Sequence, residues 1–183
     1  MIHIEKNIVD SILGALLNIP GKTKDHAKAR YDLKDMGIRK NLHPQDTEES
    51  KRTEFTKAFF SMTNGEKSMF CGLLKKAKLP DGSASNISRC VHLDERKVSN
   101  YKTHYAHFML HYLLSILIKR SLPDHVAITL IRLSSFFHRL CQKVIILEEL
   151  DCLEVEIIET VNQLERNFPP SFFDIMIHFP IMK

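Results

Sequence analysis

The sequence predicts an all-α fold, an irregular multi-helix bundle, and three observations predict it. Apolar residues recur at three- and four-residue steps through several long windows. No segment carries the two-residue alternation of a half-buried strand, and no internal repeat appears. Pro20-Gly21, Gly37, Pro80, Pro123 and Pro169-Pro170 punctuate the periodic windows.

The first helix follows from Ile4, Ile8, Ile12, Leu13, Leu16 and Leu17, a stripe that buries the helix along one side and breaks at Pro20-Gly21. A second helix runs from about Lys24 to Met36 and stops at Gly37, a residue suited to the left-handed position after a helix. From Gly37 to Arg52 the chain is polar and aperiodic, which predicts a surface loop and the best internal boundary. Residues 1–52 thus read as an N-terminal helical pair and loop, and residues 53–183 as a helical domain.

Thr63 and Glu66 have capping-box spacing, and Met69, Phe70, Leu73 and Leu74 follow as one face of a third helix closed by Pro80. Asp81-Gly82-Ser83 reads as a turn, and Ser88 to Ser99 as a short helix or irregular segment. Lys102 to Arg120 carries a wide apolar face: Tyr105, Phe108, Met109, Tyr112, Leu113, Ile116 and Leu117. Asp124 is placed to cap the next helix, whose stripe is Val126, Leu130, Leu133, Phe137, Leu140 and Val144. Leu150, Leu153, Ile157, Ile158, Val161, Leu164 and Phe168 form another stripe, with acidic residues mostly around it, until Pro169-Pro170 forbids continuation. Ser171 would cap a last helix, truncated at the C-terminus, with Phe172, Phe173, Ile175, Met176 and Phe179 as its apolar residues; such a truncation would leave Phe172, Phe173, Met176 and Phe179 short of partners.

A chain of 183 residues fits one domain or two small ones, and that size buries roughly 70% of its unfolded surface. No run of eighteen apolar residues and no secretory signal appear, so an intracellular protein without a membrane span is expected. Cys71, Cys90, Cys141 and Cys152 lack C-x-x-C spacing, which speaks against a zinc ribbon or disulfide framework and for reduced core or near-core thiols. Residues 1–100 hold 18 Lys and Arg against 13 Asp and Glu, and residues 101–183 hold 8 against 9. The front half is therefore mildly basic, which permits a phosphate-facing surface without demanding one.

Gly21-Lys22-Thr23 invites a phosphate-loop reading, but Leu16 stands where the motif needs its first glycine, so the turn and its lysines read as solvated surface. Lys22, Lys24, Lys28, Arg30, Lys75, Lys76 and Lys78, with Arg39 and Lys40, are the candidate phosphate contacts; the alternative is ordinary solvated charge. His104, His107 and His111 share a helix face at i, i+3 and i+7, so His104 and His107 are candidate metal ligands. Cys90, His92, Cys141 and His178 are the available further donors, and the alternative is partly buried, hydrogen-bonded imidazoles. The acidic run from Glu148 to Glu165 has no companion base and reads as the outer side of an amphipathic helix.

The runs LPDHVAITLIRLSSFFHRLCQKV (122–144), LEELDCLEVEI (147–157) and LERNFPPSFFDIMIHF (164–179) resemble the domain of unknown function in plant CACTA (En/Spm-type) transposase-derived proteins. HIEKN (3–7), LLNIPGKTKD (16–25), ARYDLKDMGIR (29–39) and PDGSASNISRC (80–90) are similar to the segment before that domain. The family's S-H-D-C-H pattern corresponds to His104 and His107, with Tyr105 and Ala106 in place of its acid and thiol. The resemblance implies descent from an enzyme using acidic residues and two metal ions, of which Glu5 is the one carboxylate inside a matching motif near the N-terminus. One carboxylate cannot hold two metals. The expectation is a non-catalytic helical scaffold or interaction fragment, packing against a transposase catalytic region or a second copy. The alternatives are a DNA-binding module or a transposon relic without independent function. No cofactor and no small-molecule substrate are evident, and nuclear residence is implied by the resemblance alone.

Overall fold

A computed structural model describes residues 2–46, 53–78 and 86–173. Helix α1 spans Ile2–Leu16. Its predicted stripe is buried apart from half-buried Ile4, and so are Ser11, Gly14 and Ala15, so the second half is enclosed on all sides rather than one. Two features close it. Met62 N–H donates to the Leu16 carbonyl at 2.8 Å and Ser61 Oγ to that of Ala15 at 3.2 Å. The turn after α1 also folds back so tightly that a Cβ on Gly14 would stand 2.5 Å from the Lys22 carbonyl oxygen. Gly21, at φ 76°, makes that turn possible.

Helix α2 (Ala27–Asp35) is shorter than expected because His26, not Lys24, supplies the cap: its Nδ1 accepts from Ala29 N–H at 3.1 Å. Gly37 ends it at φ 68°. Two-residue strands β1 (Gln45–Asp46) and β2 (Thr53–Glu54) pair antiparallel across the expected loop. Helix α3 (Asn64–Lys76) starts on the predicted capping box, with Thr63 Oγ1 accepting from Glu66 N–H and the Glu66 carboxylate from Thr63 N–H. The Asp81-Gly82-Ser83 turn lies outside the described residues. After a 3₁₀ turn at Ile87–Cys90, β3 (Val91–His92) and β4 (Lys97–Val98) form a second small hairpin where a short helix or irregular segment was expected.

The helix expected after Lys102 exists in three continuous parts: α4 (Thr103–Phe108), a π-helical turn (Met109–Leu113) and α5 (Leu114–Ile118). Helix α4 packs on α1. The pair is antiparallel, because Tyr101 reaches Asp10 while His107 and His111 reach Glu5. Helix α6 (Asp124–Leu140) packs on α5 and α7. Asp124 does not cap it; the Pro123 carbonyl accepts from Val126 and Ala127 N–H, and Asp124 sits in the first turn, where a negative charge suits the helix dipole. Val126, Leu130, Leu133 and Phe137 are buried as predicted, while Val144 lies past the helix end and is 77% exposed.

Helix α7 (Leu147–Asn167) buries Leu153, Ile157, Val161 and Leu164 against α6, but Leu150 and Ile158 are exposed. Phe168 and Phe172 are fully buried and stacked at 4.3 Å between ring centroids, and Phe173 packs against the core. Phe172 and Phe173 therefore have partners, contrary to the expectation from the sequence; Met176 and Phe179 lie outside the described residues. One continuous apolar cluster joins Ile8 through Leu42 to Ala58 through Phe172, so both sides of residue 52 share a core. Among the described residues no helix is long and apolar enough to cross a membrane.

Candidate functional site

Glu5 stands in the first turn of α1, on the face that also presents Ile8, Val9 and Ile12, and its side chain is only 1% exposed. A carboxylate is costly there unless hydrogen-bonded and balanced in charge. Three side chains from distant segments supply this. His107 Nδ1 donates to Oε2 at 2.7 Å, His111 Nε2 to Oε1 at 3.2 Å, and Cys141 Sγ to the same Oε1 at 3.5 Å. The two imidazoles lie 4.0 Å apart between centroids, and His111 is as buried as the carboxylate.

Each partner is delivered by a different local rule. Antiparallel packing of α4 on α1 sets His107 at the level of Glu5. The π-helical turn then carries His111, a setting in which such turns often re-aim functional side chains. Helix α6 ends at Leu140, and Cys141, in the cap position after it, turns its sulfur toward Glu5. Burial alone would raise the Glu5 pKa, but the hydrogen bonds from His111 and His107 and their charges outweigh it and hold the carboxyl at about 2. Burial and the Glu5 charge push the Cys141 thiol up to about 11.

The structure thus brings together His107 and His111 from the predicted histidine face and Cys141 from the further donors. His104 stays one turn away, exposed, with its ring 4.3 Å from that of Tyr105. Cys90 and His92 keep local partners in the β3–β4 hairpin, Asn100 O and Ser99 Oγ, and His178 lies outside the described residues. Glu5 is the residue that sequence reasoning missed as a ligand. Its signal was a charged residue at the start of an apolar helix face, one turn before Ile8 and Val9. Of the thiols, Cys71 and Cys90 are buried, whereas Cys141 and Cys152 are in exposed residues.

The candidate phosphate contacts divide. Lys22, Lys28, Lys75, Lys76 and Lys78 are exposed and Lys24 is half-buried. Lys22 also lies 3.8 Å from Asp10, and Lys75 Nζ donates to the Val91 carbonyl at 3.0 Å. Arg30 departs from the expected surface placement: it is 4% exposed, with Nε and Nη2 on the two Asp25 oxygens at 2.5 and 2.7 Å. Its Nη1 donates to the Thr56 carbonyl at 2.7 Å and that of Leu42 at 3.2 Å. This guanidinium is consumed in tying α2 to the segments before and after the 47–52 region.

The acidic run is on the outer side of α7 as expected, and part of it locks α7 to α6. Arg139 donates to Glu149 at 3.2 Å and to Glu156 at 2.6 Å. Beside it runs a stripe that α6 does not cover: Leu147 (78% exposed), Leu150, Val155 (60%) and Ile158. Glu148, Asp151 and Glu165 are exposed on the same side of the helix.

Residues 140–182 match the family described as Domain of unknown function (DUF4218), which spans the end of α6, the connection and all of α7. That family is known from plant transposase-like proteins. No curated protein and no solved structure matches the chain.

Proposed function

We propose that the chain is a non-catalytic helical interaction unit of a plant CACTA (En/Spm-type) transposase-derived protein, acting in the nucleus. The observation that carries this reading is the exposed apolar set Leu147, Leu150, Val155 and Ile158 on one side of α7, inside the matched segment, with the exposed acids Glu148, Asp151 and Glu165 on the same side. A helix side that mixes apolar and acidic residues is complementary to an amphipathic helix that offers Lys and Arg beside its apolar face. The occupant proposed is such a helix from the transposase catalytic region. Pairing of Glu149 and Glu156 with Arg139 supports a structural rather than catalytic use of those carboxylates.

The test is co-purification of the chain with the catalytic region of a CACTA transposase, using Leu150→Glu/Ile158→Glu as the variant. The expected result is a one-to-one complex lost in the variant while its helical circular dichroism persists. A complex that ignores the double substitution, or none at all, overturns the reading. A DNA-binding module is favoured instead by the exposed ammonium groups of Lys22, Lys28, Lys76 and Lys78. It would show as retention of duplex DNA that falls steeply with added salt.

A further inference from the structure

We infer that Glu5, His111 and Cys141 form a zinc site that staples α1, the π-helical turn and the end of α6, with His107 as the outer partner holding the carboxylate. The three donor atoms lie within 4.8 Å of one another, and the site is assembled from segments more than a hundred residues apart. This inference is independent of the α7 reading.

The distances fit the ion. Tetrahedral zinc with bonds of about 2.0 Å to nitrogen and oxygen and about 2.3 Å to sulfur has O–N edges of about 3.3 Å and O–S edges of about 3.5 Å. Glu5 Oε1 stands 3.2 Å from His111 Nε2 and 3.5 Å from Cys141 Sγ. Only the nitrogen–sulfur edge must close, by at most about 1.3 Å from its upper bound to the edge zinc requires. Cys141 follows the last turn of α6 in an exposed position, so rotation of its thiol meets little resistance.

The chemistry fits as well. A carboxylate, an imidazole and a thiolate together are the borderline set that selects zinc over magnesium or calcium, which take oxygen ligands. One carboxylate and one thiolate carry two negative charges, so a divalent ion leaves the buried cluster neutral. Ion entry displaces to solvent the thiol proton that Cys141 now shares with Glu5, while His111 binds as the neutral imidazole, with Nε2 free for the ion and its proton on Nδ1. His107 Nδ1, on the other carboxylate oxygen, orients Glu5 as outer partners of metal ligands commonly do. The fourth position is left to water on the Cys141 side.

The experiment uses the full chain, stripped of metal and reduced, titrated with Zn²⁺ against a chromophoric chelator and separately with Co²⁺. The expected result is one saturable site per chain, a higher melting temperature with Zn²⁺, and a thiolate-to-cobalt charge-transfer band. Cys141→Ser, at an exposed position, is expected to keep the helical spectrum, abolish the band and weaken Zn²⁺ at least ~10-fold. His107→Ala is expected to weaken it ~10–100-fold with the band retained, as loss of an outer partner does. His104→Ala is expected to change nothing. No saturable site, or a site whose affinity and band survive Cys141→Ser, overturns the assignment. So does a site lost in His104→Ala, which would restore the His104/His107 pair.

Discussion

Replacing Arg30 by Met would test whether its buried guanidinium is a structural tie or a reserve of surface charge. Arg30 and the Asp25 carboxylate are 5% and 7% exposed as side chains, and two fork contacts join them at 2.5 and 2.7 Å. Met fills much of the same volume but leaves that carboxylate without its cation and the Thr56 and Leu42 carbonyls without a donor. Removing one partner of a buried pair costs about 3–5 kcal/mol. For a chain of this size that is roughly 6–20 °C in Tm. Arg30→Lys keeps a charge but has no fork and cannot reach both carbonyls, so about 1–3 kcal/mol is expected. Arg30→Met/Asp25→Leu removes both charges and is expected to recover part of the loss. Urea unfolding followed by circular dichroism, with the slope checked for constancy, measures all three. A cost below about 1 kcal/mol for Arg30→Met would refute the reasoning. Reduced DNA retention at unchanged stability would refute it equally, by returning Arg30 to the surface.

Three further outcomes are expected. Gly14→Ala is expected to destabilise by about 1–3 kcal/mol in thermal melts, since its methyl meets the Lys22 carbonyl at 2.5 Å and the turn after α1 must open. Ile157→Ala, at 1% exposure, is expected to cost about 2–5 kcal/mol, while its neighbour Ile158→Ala, 41% exposed, is expected to stay within about 0.5 kcal/mol. Equal effects in urea unfolding would mean that α7 is rotated. Hydrogen bonds from the Thr63 backbone and side chain lower the Glu66 pKa from the ordinary 4.5, so its stabilisation of α3 is present above pH 4.5 and is lost as pH falls below it. Thr63→Ala is expected to cost about 1 kcal/mol at neutral pH in thermal melts. That cost should shrink in acid, and a cost independent of pH would disprove the capping box.

Local chemistry was legible at several places where one stretch of chain contains both partners, though not at the His26 cap or the Arg30–Asp25 pair. The Thr63–Glu66 box needs only a three-residue spacing, Gly37 only a left-handed turn, and Pro169-Pro170 only a missing donor. The stripes of α1 and α6 were read from periodicity, because a helix that buries one face must repeat on it. Periodicity does not say how wide the buried sector is. On α7, Leu150 and Ile158 belong to the same apolar stripe as Leu153 and Ile157, and only the seat of α6 decides which pair it covers. Asp124 shows a weaker rule losing to geometry, since Pro123 takes the cap position and Asp124 is already the first residue of the helix.

For the candidate site, the sequence by itself determined part of the donor set, a histidine face on one helix and a few isolated thiols, and left the Glu5 carboxylate unread. It also determined that the fold is helical, through spacing alone. Only the tertiary structure decided that His107 and His111, not His104, face Glu5, since that depends on the level at which antiparallel α4 crosses α1. Only it decided that Cys141 joins them from 136 residues away, and that Arg30 is consumed inside the molecule. The physical reason is common to these cases: burial and pairing are properties of what packs against a residue, and a single helix carries no information about its neighbour.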